Sequence, residues 1–102
     1  MNGVKVQYTV KQEYVETNKA NIRLVMADLR KINNPDIQYS AWLLEDGKTF
    51  VHFVIRANDE AQKTVSELLS FQEFRRQLKE SGPEAPPQAQ DLSPVGSSWE
   101  IF

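Results

Sequence analysis

The feature that most constrains the fold is the run from Val4 to Tyr14. Val4, Val6, Tyr8, Val10 and Tyr14 alternate with Lys5, Gln7, Thr9, Lys11 and Glu13. A period of two over such a length predicts a strand with one buried and one polar face. The period then changes. Ile22, Val25, Met26, Leu29 and Ile32 recur at helical spacing, which predicts a helix over about 17–33. Thr17 or Asn18 is placed to cap its start, and Asn33-Asn34-Pro35 to end it, because the residue before proline avoids the helical region.

Two strands, Ile37–Leu44 and Lys48–Arg56, flank Glu45-Asp46-Gly47, and the Asp-Gly pair is a hairpin signal. Loop length decides which residues share a face. A two-residue loop pairs Leu43 with Phe50 and Ala41 with His52 and leaves both faces mixed. A three-residue loop with Gly47 left-handed pairs Leu43 with Thr49, Ala41 with Val51, Tyr39 with Phe53 and Ile37 with Ile55. That register collects one nearly all-apolar face, and a buried face specifies register. The expectation is therefore the three-residue loop. It puts Gln38, Ser40, Trp42, Phe50, His52, Val54 and Arg56 on the opposite face.

Asn58-Asp59 reads as the cap of a short helical turn carrying Ala61, Val65, Leu68 and Leu69. Ser70 and Glu73 have the spacing of a capping box, opening a helix with the stripe Phe71, Phe74 and Leu78 that stops at Gly82-Pro83. Gly82–Gln90 is proline-rich and polar and reads as a connection. A last, irregular strand is expected around 88–101, with Pro94 marking an edge or a bulge. The order strand, helix, strand, strand, helix, strand predicts an α+β, ferredoxin-like βαββαβ domain over residues 1–102: a four-stranded antiparallel sheet with two helices on one face.

Composition narrows function by exclusion. The 102 residues carry a net charge of −2, 40% hydrophobic side chains, one histidine and no cysteine. Disulfides, thiolate catalysis and cysteine-held metals are excluded, and no metal site is expected. A pI of about 5.4 argues against a phosphate-backbone binder, so no nucleic acid is expected. No run of about 18 apolar residues and no secretory signal are found, so no membrane partner and a cytoplasmic location are expected. No internal repeat suggests a solenoid, and no glycine-rich phosphate loop or nucleophile elbow is present.

On this register the second sheet face would expose Trp42, Phe50 and Val54, and a contiguous apolar patch usually marks an interaction surface. Self-association is the commonest cover, so a homodimer is expected. Trp99, Ile101 and Phe102 are too apolar for a free chain end and are expected to pack on a sheet edge or on the partner.

At this point the chain resembles a known family. Val4–Tyr14, Tyr39-Ser40-Ala41-Trp42-Leu43-Leu44-Glu45-Asp46-Gly47, Thr49-Phe50-Val51-His52-Phe53, Phe71-Gln72-Glu73-Phe74 and Val95-Gly96-Ser97-Ser98-Trp99 look like the dimeric α+β-barrel superfamily, close to its antibiotic-biosynthesis-monooxygenase-like domains. The resemblance spans nearly the whole chain and rests on structural rather than catalytic motifs. It implies a homodimer in which two sheets face each other around a barrel, with a C-terminal segment that often crosses to the partner. Such domains include cofactor-free quinol oxygenases, haem-degrading enzymes, lactone isomerases and stress-induced proteins. The tryptophan, asparagine and histidine signature of the haem-degrading relatives does not carry over: the first strand offers Lys5, Gln7 and Thr9, and His52 lies on a strand. An RNA-recognition motif, which shares the strand–helix order, fails at Thr49 and His52 in the third strand.

Two function classes remain. One is a cofactor-free monooxygenase-like or isomerase-like enzyme acting on a small aromatic or polyketide-like molecule in the barrel interior. The other is a non-catalytic ligand-binding or stress-related structural dimer. His52 is the candidate catalytic residue, as the one side chain that titrates near neutral pH. Trp42, Phe50, Ser40, Gln7 and Arg56 are the candidate ligand-binding residues, and no cofactor is expected. The competing reading makes His52 a hydrogen-bonded polar residue inside an interface, Trp42 interface packing, and Arg56, Lys5 and Lys11 a solvated rim.

Overall fold

In a computed structural model, which describes residues 1–102, the chain forms four strands and three helices. They are β1 (Asn2–Thr9), α1 (Val15–Ile32), β2 (Ile37–Leu43), β3 (Thr49–Arg56), α2 (Asp59–Glu67), α3 (Leu69–Glu80) and β4 (Ala85–Leu92). The sheet is antiparallel throughout, in the order β2-β3-β1-β4. This is the ferredoxin-like α+β arrangement the element order implies.

The first strand is shorter than its alternation suggests. It ends at Thr9, and Gln12–Tyr14 form a 3-10 turn that leads into α1. Val10 is fully buried all the same, its N–H donating to the Lys48 carbonyl at 2.9 Å. Tyr14 is the residue before the helix, and no side chain caps that start. Thr17 and Asn18 lie inside the helix instead, and Asn18 is buried. At the other end Asn33 adopts a left-handed conformation, φ 52°, and its N–H closes on the Leu29 carbonyl at 3.0 Å, a regular helix stop.

The hairpin departs from the expected register. The Asp46 carboxylate accepts from the N–H groups of Lys48 and Thr49, at 3.0 and 2.8 Å, and from the Thr49 hydroxyl. With its N–H turned to that carboxylate, Lys48 belongs to the loop and Thr49 opens the ladder. Leu44 N–H donates to the Thr49 carbonyl at 2.8 Å, and Gly47 takes φ 75°. Leu43 therefore pairs with Phe50, Ala41 with His52 and Tyr39 with Val54. A one-residue slip turns every side chain of one strand to the other face. Phe50, His52 and Val54 thus point to the helices, and Val51, Phe53 and Ile55 point away from them.

The core lies between sheet and helices. Tyr8, Val10, Val15, Ile22, Val25, Phe50, Phe74 and Leu78 form one buried cluster. Each fully buried apolar side chain of this size contributes roughly 1.5–3 kcal/mol. The Tyr8 ring stacks on Phe50 with centroids 5.6 Å apart.

Asn58 caps α2 by accepting from the Ala61 N–H at 2.8 Å. The capping box at Ser70 and Glu73 does not form. α3 begins two residues earlier, with Leu68 at the cap position, so Ser70 is inside the helix with its hydroxyl unpartnered, and Glu73 pairs with Arg76. The helix ends at Glu80, with Gly82 left-handed at φ 66°.

β4 also lies earlier than the sequence suggests. It spans Ala85–Leu92 on the open edge of β1, with a register shift opposite Gln7–Thr9. Pro86 and Pro87 fall at that register shift on an edge strand, where residues without an N–H are tolerated. Val95–Phe102 form no strand.

Candidate functional site

His52 is the centre of the candidate site, in a place the expected register did not give it. Its residue is 2% exposed, and its ring stacks against Phe74 of α3 with centroids 5.5 Å apart. The ring packs under the helices, so the space on the outer side of the sheet is not its environment. The reason is the slipped hairpin: the Asp46 turn moves β3 by one position and carries the histidine with it.

A buried imidazole needs partners for both nitrogens. Two tyrosines supply them. The Tyr8 hydroxyl is 2.8 Å from Nε2, and the Tyr39 hydroxyl is 2.7 Å from Nδ1. Asn18 of α1 completes the chain, its Nδ2 donating to the Tyr8 hydroxyl oxygen at 2.9 Å. Burial pulls the His52 pKa from 6.5 down to about 4, so the ring is neutral at pH 7 and carries one proton. Burial pushes both tyrosine pKa values up, so both phenols keep theirs.

The neutral ring donates to one tyrosine oxygen and accepts from the other hydroxyl, and its tautomer decides which does which. The Oδ1 of the Asn18 amide is buried without a partner.

Beside this network is a cavity of about 400 Å³ between the sheet and helices α2 and α3. Tyr39, His52, Val54, Phe71 and Phe74 form much of its wall, with Pro87 and Ala89 of β4 at one side. The size and the mixture of aromatic wall with few polar groups are those of a small-molecule site. Arg56 and Arg75 also line it. Arg56 donates through Nη2 to Asn2 Oδ1 at 2.8 Å, while its Nε is shielded from solvent and has no acceptor. Arg75 lies over the Phe71 ring, 5.7 Å from its centroid.

The sequence candidates thus divide. His52 and Arg56 line one cavity, and Phe50 lies on the same helix-facing side, stacked on Tyr8. Gln7 and Trp42 lie on the outer face, flanking Val51. Trp42 donates through Nε1 to the Ser40 hydroxyl at 3.1 Å, and both line a separate open groove between α1 and β2. Tyr8, Tyr39 and Asn18 were missed as site residues. The available signal was two tyrosines on an otherwise apolar sheet face, since buried hydroxyls require partners.

The outer face is apolar as expected, with different members. Trp42 is 61% exposed and Phe53 36%, with Ile55 and Leu92 adjoining. Phe50 and Val54 are buried under the helices instead. Beyond β4, Val95, Trp99 and Phe102 stand in solvent in the isolated chain.

No family model matches the sequence, and no curated protein is similar to it. Solved structures are similar. An antibiotic biosynthesis monooxygenase superposes with a TM-score of 0.78 at 14% identity, over 94% of this chain and 100% of the other. The chain has the fold of the antibiotic-biosynthesis-monooxygenase-like domains. Rv0793 from Mycobacterium tuberculosis gives 0.78 at 15% identity, over 96% and 98% of the two chains. SnoaB from Streptomyces nogalater, a cofactor-independent oxygenase, gives 0.71 at 10% identity, over 97% of each. In this chain the antibiotic-biosynthesis-monooxygenase-like fold places a neutral histidine and an aromatic cavity together under α3. No helix is long and apolar enough to cross a membrane, and no group of three or more His, Asp or Glu side chains is placed to hold a metal ion.

Proposed function

We propose that the protein binds a small aromatic molecule in the cavity beside His52 and oxidises it with molecular oxygen, without a cofactor. The observation that carries this reading is the aromatic cavity walled by a neutral, doubly hydrogen-bonded imidazole. A cofactor-free oxygenation needs an electron-rich substrate, held away from bulk water. For an anthrone-type methylene, the ring CH2 and O2 give a ring carbonyl and one water. The likeness to SnoaB supports this class of chemistry. The protein supplies binding, orientation and a dry environment.

The functional unit in this reading is a homodimer, each subunit being one domain over residues 1–102. The outer sheet faces, carrying Trp42, Phe53, Ile55 and Leu92, meet, and residues 93–102 lie on the partner. A specific interface of standard size covers ~800 Å² per subunit.

A second reading is non-catalytic binding of the same class of ligand. It is favoured by one feature: both nitrogens of His52 are engaged by tyrosines, so no free base faces the cavity. Oxygen-electrode assays on 1,8-dihydroxyanthrone separate the two. Oxygen uptake that saturates with substrate and is lost in His52→Ala supports the enzyme. Saturable binding with no uptake above the uncatalysed rate leaves the binding protein.

A further inference from the structure

Two guanidinium groups, Arg56 and Arg75, line the cavity beside the neutral polar side chains of Tyr39, Gln62 and Ser66. The Tyr39 hydroxyl makes its one protein hydrogen bond to His52 Nδ1, at 2.7 Å. A guanidinium has donors and no acceptor. Arg56 is held by its Nη2, which donates to Asn2 Oδ1 at 2.8 Å, and its Nε–H is shielded from water and unpartnered. Arg75 adds a second cation to the lining. One carboxylate, Asp91 on β4, acts on Arg56. Two cations against one anion leave the cavity locally positive in a chain whose net charge is −2.

We propose that the ligand is an aromatic carboxylate, its ring against Phe71 and Phe74 and its carboxylate between the Arg56 guanidinium and the Tyr39 hydroxyl. This rests on the reading of the cavity as a ligand site and adds the charge and hydrogen-bond polarity of what enters it. Charge-assisted donors are about twice as strong as neutral ones in a site that excludes water.

The test is calorimetric titration of the full chain at pH 7 with three probes of one shape: 2-naphthoate, 2-naphthalenemethanol and 2-naphthylmethylammonium. 2-Naphthoate is expected to bind at least about tenfold tighter than the alcohol, with the ammonium weakest. Arg56→Met and Tyr39→Phe should each remove most of that preference and leave affinity for the alcohol within about twofold. If Tyr39→Phe does not fold, Arg56→Met and Arg56→Lys carry the test, the lysine keeping the charge but not the planar guanidinium. An alcohol that binds as tightly as 2-naphthoate, or an ammonium that binds tightest, overturns the anion proposal and leaves the cavity a ligand site. If none of the three binds, the reading of the cavity fails, and the anion proposal with it.

Discussion

The Tyr8 hydroxyl lies 2.8 Å from Nε2 of His52, tying the one imidazole of the chain to the neighbouring strand β1. The contact is buried, and the Tyr8 oxygen also accepts from Asn18. Tyr8→Phe therefore strands two polar groups at once while keeping the ring stack on Phe50. Leaving buried partners unpaired costs about 1–3 kcal/mol. Thermal or urea unfolding should show a loss in that range; an unchanged midpoint would mean that the hydroxyl bonds contribute nothing net.

His52 also links stability to pH. Its pKa is about 4 in the folded chain and 6.5 when freed from burial. Between those values the unfolded chain binds more protons, so stability is full above about pH 6.5 and falls as pH drops toward 4. A shift of this size corresponds to up to about 3 kcal/mol. His52→Gln keeps a donor and an acceptor and removes the titration. Its unfolding midpoint should drop less than that of the parent between pH 6.5 and 4. Parallel pH profiles for the two proteins would contradict the buried, neutral ring.

Trp42 tests the assembly. It is exposed on the outer face beside Phe53, and the expected state in solution is a dimer. Trp42→Asp places a charge in that interface and should convert the species to about half its mass in sedimentation velocity at micromolar concentration. A parent that sediments as a single chain at that concentration would remove the dimer.

Residues 95–102 bury little against their own chain. Their deletion should therefore lower the melting temperature by several degrees only where the dimer forms. The loss should shrink on dilution, as mass action requires. A concentration-independent loss would place the segment on its own subunit.

Much of this was legible in the sequence. The alternation of Val4, Val6 and Tyr8, the helical stripe Ile22–Ile32 and the Asp46-Gly47 turn fix the element order, and with it the ferredoxin-like topology. The face of β3 was not legible. Apart from His52, every residue from Phe50 to Ile55 is apolar, so either face can be buried and periodicity does not choose. The choice falls to the Asp46 side chain, whose bonds to Lys48 and Thr49 set the register. The site inherited that error. Gln7, Ser40 and Trp42 were grouped with His52 because the register put them together, whereas the partners of His52 are Tyr8 and Tyr39. The position of β4 was obscured in a similar way, because a strand carrying Pro86 and Pro87 with all its residues exposed has no apolar alternation to read.

In the proposed reading His52 is a buried, neutral imidazole in the wall of a ligand cavity. Imidazole 15N NMR tests it most directly, since the chain has one histidine and the spectrum belongs to that residue alone. At pH 7 the ring should be neutral, and both ring nitrogens should shift saturably as 2-naphthoate is added. A cationic ring at pH 7, or resonances that stay fixed while 2-naphthoate binds the protein, would contradict the account.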